Sequence, residues 1–364
     1  NNEKEPSAGD LTKYRVVHKG QLLENRMQAW HGMFICVDKE GCVSPDYSVF
    51  NANKRTVGSV KYYEYCFRLP MWVQQFANES RGIGDGFNRL YTSQFHKIMA
   101  IVPPLSEQKA IAEYLDKKTA QINELVSAKQ KQIELLKEYK QSVIANAVTG
   151  KLNKNCRMKD SGISWIGKIP ENWECSTLRK HLKFVSDKGH PNEQLLSVTR
   201  EQGVIIRNVE SKEENHNVIP EDLSDYKLVK QGQFAINKMK SWQGSYGVSS
   251  YTGIVSPAYY VCDLNFENKD FFSIAIRSKA YIPFFTMYSK GIRVDQWDLS
   301  PIGLKTIPFF IPPVDEQDKI VSFVKDKMER IDSQVASIEN QIANLNEYRQ
   351  SLISEVVTGK VKVC

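Results

Sequence analysis

The chain is a long-period internal repeat, and that constrains its fold more than any other feature. Pro103-Pro104-x-x-Glu107-Gln108 recurs as Pro312-Pro313-x-x-Glu316-Gln317, and Val148-Thr149-Gly150-Lys151 recurs as Val357-Thr358-Gly359-Lys360. Between those blocks, Glu138-Tyr139 and Gln141-Ser142 return as Glu347-Tyr348 and Gln350-Ser351. Upstream, Asn25-x-Met27-x-x-Trp30-x-Gly32 returns as Asn237-x-Met239-x-x-Trp242-x-Gly244. Gly41-x-Val43-Ser44-Pro45-x-Tyr47 returns as Gly253-x-Val255-Ser256-Pro257-x-Tyr259. Shorter matches join Leu11-x-x-Tyr14 to Leu223-x-x-Tyr226, Gly20-Gln21 to Gly232-Gln233, and Gly82-Ile83 to Gly291-Ile292. The matches keep one order in both copies. Only the second copy carries an opening segment, roughly Asp160–Asn215. The chain does not begin with methionine, and the first copy is expected to lack its opening strands.

Two segments read as long helices. The first is expected from an N-cap at Ser106 to about Ala147, and the second from an N-cap at Asp315 to about Val356. Their apolar positions fall at helical spacings: Ile111, Leu115, Ile122, Leu125, Leu136, Tyr139 and Val143 on one; Ile320, Val324, Ile331, Val335, Ile338, Ile342, Leu345, Tyr348 and Leu352 on the other. Lys118, Lys129 and Gln132 interrupt the first stripe. Gly150 and Gly359 supply the stops. A helix about 60 Å long needs a partner of similar length. The other copy is in the same chain, so an intramolecular antiparallel pair is expected, with a globular domain near each end and a pseudo-twofold axis. The stretches before each helix hold short β-type runs, Phe34–Val37, Tyr246–Val248 and Tyr259–Cys262, punctuated by Gly and Pro. The expected class is mixed α/β. The expected divisions are 1–102 and 152–311 for the globular parts, and 103–151 and 312–364 for the helices.

Composition bounds the function. Of 364 residues 41% are hydrophobic and 25% charged, as in an ordinary globular protein. No apolar run approaches the roughly 20 residues that span a bilayer, and no signal peptide opens the chain. The formal charge of +7 permits nucleic-acid binding without demanding it. Seven cysteines with no CxxC pair suit reduced thiols in a cytosol and argue against a structural zinc. Catalytic signatures are missing. Val102-Pro103-Pro104-Leu105 and Ile311-Pro312-Pro313-Val314 lack the polar first and aromatic last residues of an adenine-methyltransferase motif. Gly82-Ile-Gly84-Asp-Gly86 reads as a turn. Thr149-Gly150-Lys151 and Thr358-Gly359-Lys360 end helices and lack the first glycine of a P-loop. The six histidines show no metal spacing. A catalytic site and a metal site are both expected to be absent.

Two similar domains on a stiff spacer suit the reading of two half-sites along duplex DNA. The Pro-Pro-x-x-Glu-Gln helix start, the long helix ending in Val-Thr-Gly-Lys and the Asn-x-Met-x-x-Trp-x-Gly block resemble the specificity subunit of type I restriction–modification systems. The run Asp160–Trp173, with Trp165-Ile-Gly and Pro170-Glu-Asn-Trp173, is similar to that family's domain opening. No counterpart precedes Leu11. The resemblance implies two target-recognition domains that each read half of a bipartite, asymmetric DNA site. It implies helices that set the gap and dock two modification subunits, which use S-adenosylmethionine to methylate adenine N6. It implies restriction subunits that use ATP and Mg2+, a non-catalytic role with no cofactor for this chain, and a cytoplasmic location in a bacterium or archaeon. Two other readings stand beside it: a structural tether joining two protein-binding domains, and a recognition arm for another class of DNA methyltransferase.

DNA binding needs cations for phosphates and planar polar groups for base edges. The candidates in the first copy are Arg26, Gln28, Trp30, His31, Lys54, Arg55, Arg81 and Arg89. In the second they are Lys238, Lys240, Trp242, Gln243, Lys290 and Arg293. Arg26 and Lys238 keep their charge at one repeat position, which suits phosphate positioning. Gln28/Lys240 and His31/Gln243 differ between copies, which suits sequence reading. Trp30 and Trp242 read first as core anchors and second as DNA contacts.

Overall fold

The computed structural model describes residues 12–51, 59–82, 88–152, 155–209, 219–292 and 297–363. The chain forms two compact units. Unit 1 comprises Asn1–Gln132 and Ser337–Cys364, and unit 2 comprises Ile133–Ala336.

Unit 1 opens with β1 (Arg15–Val17), β2 (Leu22–Asn25), β3 (Phe34–Cys36), β4 (Gly41–Val43) and β5 (Tyr47–Phe50). β2 is the centre of an antiparallel sheet of order β3-β2-β5, and β1 pairs with β4. Helices α1 (Val60–Cys66), α2 (Pro70–Glu79) and α3 (Thr92–Phe95) cover the sheet, and α4 (Leu105–Val148) follows. Phe34, Phe67, Phe76 and Phe95 pack ring against ring beneath Tyr62 and Trp72.

Unit 2 adds β6 (Met158–Asp160), β7 (Lys168–Pro170), β8 (Glu174–Thr177), α5 (Leu178–His181), β9 (Leu182–Val185) and the hairpin β10 (Leu196–Thr199) and β11 (Gly203–Ile206). The repeat then resumes with β12 (Lys227–Val229), β13 (Phe234–Ile236), β14 (Tyr246–Val248), β15 (Gly253–Val255) and β16 (Tyr260–Leu264). These pair as β1–β5 do in unit 1: β13 lies between β14 and β16, and β12 pairs with β15. β9 extends the sheet to β14-β13-β16-β9. After α6 (Lys269–Ile276), α7 (Ile282–Met287), β17 (Ser289–Lys290), β18 (Asp298–Leu299) and α8 (Pro301–Thr306), β19 (Pro308–Ile311) pairs with β8, and α9 (Val314–Val357) begins.

α4 and α9 each run 44 residues. Within unit 1 their segments are antiparallel, with Arg349 Nη1 on Asn123 Oδ1 at 2.5 Å and Lys129 Nζ on Gln341 Oε1 at 2.5 Å. Within unit 2, Lys140 Nζ meets Asp332 Oδ1 at 2.6 Å, and Ala147 and Val148 share an apolar cluster with Ile320, Val321 and Val324. From Leu115 onward one row of buried and half-buried side chains along α4 runs in alternating steps of four and three: Leu115, Thr119, Ile122, Val126, Lys129, Ile133, Leu136, Lys140, Val143 and Ala147. α9 repeats the pattern from Val324 through Met328, Ile331, Val335, Ile338, Ile342, Leu345, Arg349 and Leu352 to Val356. That 3.5-residue period marks a coiled-coil seam. Three expected seam residues lie off it: Leu125, Tyr139 and Tyr348 are 52%, 54% and 55% exposed. Their seats go to Val126, Lys140 and Arg349; the stems of Lys140 and Arg349 cover apolar surface while their charged ends reach Asp332 and Asn123.

The helix starts also differ from expectation. Ser106 and Asp315 sit inside the first turn, because the carbonyls of Pro104 and Pro313 accept the N–H groups of Gln108 and Gln317, both at 3.0 Å. The glutamines do the capping. Gln108 Nε2 returns to the Pro103 carbonyl at 2.8 Å and Gln317 Nε2 to the Pro312 carbonyl at 2.9 Å. Both side chains are buried. The repeated Pro-Pro-x-x-Glu-Gln block is therefore a helix-start device.

Candidate nucleic-acid interface

Each copy of the Asn-x-Met-x-x-Trp-x-Gly block folds into the same turn. In unit 2 the chain leaves β13 at Asn237, makes a single 3-10 turn at Ser241–Gln243, and re-enters the sheet as β14. Gly244 closes the turn at φ 97°, donating its N–H to the Ser241 carbonyl at 2.8 Å. A side chain there would strain the left-handed backbone. In unit 1 Gly32 does the same at φ 77°, donating to Ala29 at 2.7 Å. The Asn side chain ties the turn to the second repeated block: Asn237 Nδ2 donates to the Tyr259 hydroxyl, and Asn25 Nδ2 to that of Tyr47.

That scaffold presents the residues that differ between copies. In unit 2 Lys240 and Gln243 line a cleft of about 330 Å³ together with Ser197, Thr199, Arg200, Arg207, Asn237, Ser245 and Tyr259. The lining holds three cations and no carboxylate, and the rest of its polar groups are hydroxyls and amides. Such a set can neutralise phosphate and hydrogen-bond base edges. Arg200 and Gln243 also border a second cleft, about 760 Å³, with Lys137, Lys140 and Lys279 and the carboxylates of Glu138 and Glu201, of which Glu201 Oε1 accepts from Arg200 Nε at 2.9 Å at an exposed site. Arg277 braces this wall, donating from Nη2 to the carbonyls of Arg200 at 3.1 Å and Glu201 at 2.8 Å. Burial lowers the pKa of its guanidinium from the usual value.

The other candidates fall into different places. Arg26 is half-buried, with Nε on the Asp46 carbonyl at 3.1 Å and Nη2 on that of Pro45 at 2.5 Å. Asp46 Oδ1 lies 3.8 Å from both Arg26 and Arg89. Lys238 meets Asp298 Oδ2 at 2.6 Å. This charged pair of repeat positions thus holds its own turns. Arg81 and Arg89 face each other across a backbone bridge. Gln28, His31 and Lys290 are exposed. Trp30 and Trp242 are half-buried rather than core anchors: Trp30 lies against His31 with ring centroids 3.6 Å apart and the rings tilted by 33°, and Trp242 meets Trp297 at 5.4 Å. A short turn at the sheet rim cannot reach the interior, which Phe34 and Tyr246 fill instead. Lys54, Arg55 and Arg293 lie outside the described residues, as do positions 83–87 of the glycine-rich turn.

Arg200 and Arg207 are additions from the β10–β11 hairpin. The signal was the opening segment itself, whose unmatched stretch carries them. Among the described residues no group of three or more His, Cys, Asp or Glu could hold a metal ion, and no helix is long and apolar enough to cross a membrane.

The family described as "Type I restriction modification DNA specificity domain" matches residues 32–135. The EcoKI specificity subunit of Escherichia coli K12 is 25% identical over 304 residues, covering 78% of this chain and 62% of that one. The StySPI specificity subunit of Salmonella potsdam is 24% identical over 320 residues, covering 81% of this chain and 66% of that one. The chain thus spans less than two thirds of these relatives' length. Among solved structures, a chain from a study of complex assembly and conformational transition of the type I R-M system superposes with a TM-score of 0.69 at 11% identity, covering 96% of this chain and 84% of that one. The HsdS subunit of Thermoanaerobacter tengcongensis gives 0.53 at 13% identity, covering 97% and 84%. These two likenesses concern the fold.

Proposed function

From the premise that the chain belongs to the type I restriction–modification specificity-subunit family, we propose that it reads DNA sequence for such a complex and performs no chemistry itself. The observation that carries this reading is the repeated turn. One hydrogen-bonded scaffold displays Gln28 and His31 in one unit and Lys240 and Gln243 in the other. A shared frame with different polar tips is what reading two different half-sites requires. The cation-lined cleft beside Lys240 supplies phosphate neutralisation next to the reading groups.

Docking of two modification subunits is part of the same proposal. Glu138-Tyr139 and Glu347-Tyr348 are identical in both copies, and all four residues are exposed. Their retention in a diverged repeat fits two equivalent contacts with two copies of one partner. S-adenosylmethionine, ATP and Mg2+ then belong to the partner subunits, and the setting is the cytoplasm of a bacterium or archaeon.

Co-expression with a type I modification subunit, followed by mapping of N6-methyladenine across the host genome, tests the reading. A split motif with a fixed gap is expected. A stable complex that leaves the genome unmethylated counts against DNA recognition. Replacing both Tyr139 and Tyr348 by Ala is expected to weaken assembly with the modification subunit while leaving the thermal midpoint of the free chain unchanged.

A further inference from the structure

Each unit carries a cleft at a matching place of the repeat, and the charges in the two differ. In unit 1 the cleft holds about 700 Å³ among α1, α4 and the last turns of α9, with Arg68, Arg349 and Gln350 in its wall. In unit 2 the cleft of about 760 Å³ has Arg277, Lys140 and Gln141 at those repeat positions. These shared groups belong to the framework. Arg68 Nη2 donates to the Phe34 carbonyl, and Arg277 Nη1 donates to the carbonyl of Tyr246, the repeat counterpart of Phe34. Arg349 is held by Asn123 and Lys140 by Asp332.

The remaining groups set the two clefts apart. In unit 1 Lys61 Nζ meets Glu64 at 3.0 Å and lies 3.6 Å from Asp116, and Arg68 meets Glu64 at 3.0 Å. Cations and carboxylates answer one another there. Unit 2 adds Lys137 from α4 and Lys279 from the turn before α7, where unit 1 has Asn346 and Pro70. Both lysines are exposed, and among the described residues neither enters an ion pair. The carboxylates of this wall are Glu138, which is exposed, and Glu201, which pairs with Arg200. The side chains of Arg200 and Glu201 are 63% and 75% exposed. So open a pair is worth about 1 kcal/mol or less, and a phosphate can displace the carboxylate. Arg200 and Gln243 line both this cleft and the one beside Lys240, so the two clefts share a wall.

We propose that this second cleft of unit 2 grips the sugar–phosphate backbone of duplex DNA beside the half-site read by Lys240 and Gln243, with Lys137 and Lys279 as the gripping cations. α4 is then a DNA-contacting element as well as a spacer. A backbone contact carries no base information, so it fixes position while the neighbouring groups read sequence. The wall shared with the reading cleft is what favours DNA over an acidic protein segment as the occupant. The inference rests on the DNA-reading proposal, and the experiment separates its failure from the failure of that reading.

The test is the anisotropy of a fluorescently labelled mixed-sequence duplex, titrated with the full chain alone and with a type I modification subunit, at about 50 to 200 mM NaCl. A chain carrying Lys137→Ala and Lys279→Ala is expected to have a salt slope lower by about two, at about 0.9 per phosphate contact. Across that range the unaltered chain then loses about tenfold more affinity than the variant. Lys137→Arg with Lys279→Arg is expected to keep the original slope. Lys180→Ala with Lys319→Ala removes the same charge from exposed sites of unit 2 outside both clefts, and is expected to leave the slope in place. All three variants should keep the melting midpoint, because every altered side chain is already in solvent. An unchanged slope in the Lys137/Lys279 alanine variant, or an equal fall in the Lys180/Lys319 variant, overturns the grip and leaves DNA reading standing. So does an unchanged slope with weaker assembly, since the cleft would then seat an acidic segment of the modification subunit. Absence of salt-dependent binding by the unaltered chain, alone and with that subunit, overturns the DNA-reading proposal and the grip with it.

Discussion

Asn237 donates from Nδ2 to the hydroxyl of Tyr259 at 3.0 Å, and Asn25 donates to Tyr47 at 3.3 Å. The two residues of each pair belong to different repeated blocks. Their bond explains why the blocks persist together: one starts the turn that displays the polar tips, and the other anchors it. Asn237→Ala is expected to cost about 1 kcal/mol of unit 2 stability, the usual worth of a hydrogen bond between side chains. Tyr259→Phe should cost a similar amount. The double variant should cost less than their sum, measured as a double-mutant cycle in thermal denaturation.

Removing a cation and removing a reading group should have different signatures. Arg200→Ala is expected to weaken binding to all DNA sequences alike and to lower the salt dependence of binding by about one phosphate contact. Gln243→Ala is expected to relax preference at one half-site by about 1–3 kcal/mol while leaving the salt slope in place. Binding isotherms on a sequence panel at several salt concentrations separate the two. An equal, uniform loss from both variants would remove Gln243 from its reading role.

Glu24 is fully buried on β2, and burial raises its pKa from 4.5 to about 7, against the smaller opposing effects of Ser48 and Arg26. Its repeat counterpart is Ile236. The unfolded chain releases this proton near the ordinary value and the folded chain releases it only near 7. The folded state therefore binds the extra proton between those values. Stability should fall as pH rises through that window and level off above it. Glu24→Gln should remove that slope and gain on the order of 2 kcal/mol at pH 8, read from denaturant unfolding at pH 5 and pH 8.

The seam makes a contrast within one helix. Ile133 is 5% exposed and Leu125 is 52% exposed. Ile133→Ala is expected to cost about 2–4 kcal/mol through lost burial and a cavity. Leu125→Ala should stay within about 0.5 kcal/mol. Melting curves of the two variants check the register.

The repeat, both long helices and the two-block turn are legible in the sequence because each is written locally. Proline and glycine set helix ends through their own backbone limits, and helical spacing marks an apolar face. The seam register was not legible between Leu125 and Val126. Both are apolar and adjacent, and only the facing helix decides which one is covered. Tyr139 and Tyr348 fit the helical period, yet the seam took the stems of Lys140 and Arg349 instead. Arg200 and Arg207 were missed because a hairpin in unmatched sequence carries them to Lys240 and Gln243.

By itself the sequence determined the duplicated plan, the helix pair and the positions where the copies agree or differ. Those follow from local backbone preferences and from comparing the chain with itself. Tertiary structure alone decided which cations hold turns and which line a cleft. It also buried Glu24 and left Met99, Ile101 and Val102 in solvent. Exposure, charge pairing and strand partners are set by residues distant in sequence, and no local pattern carries that information.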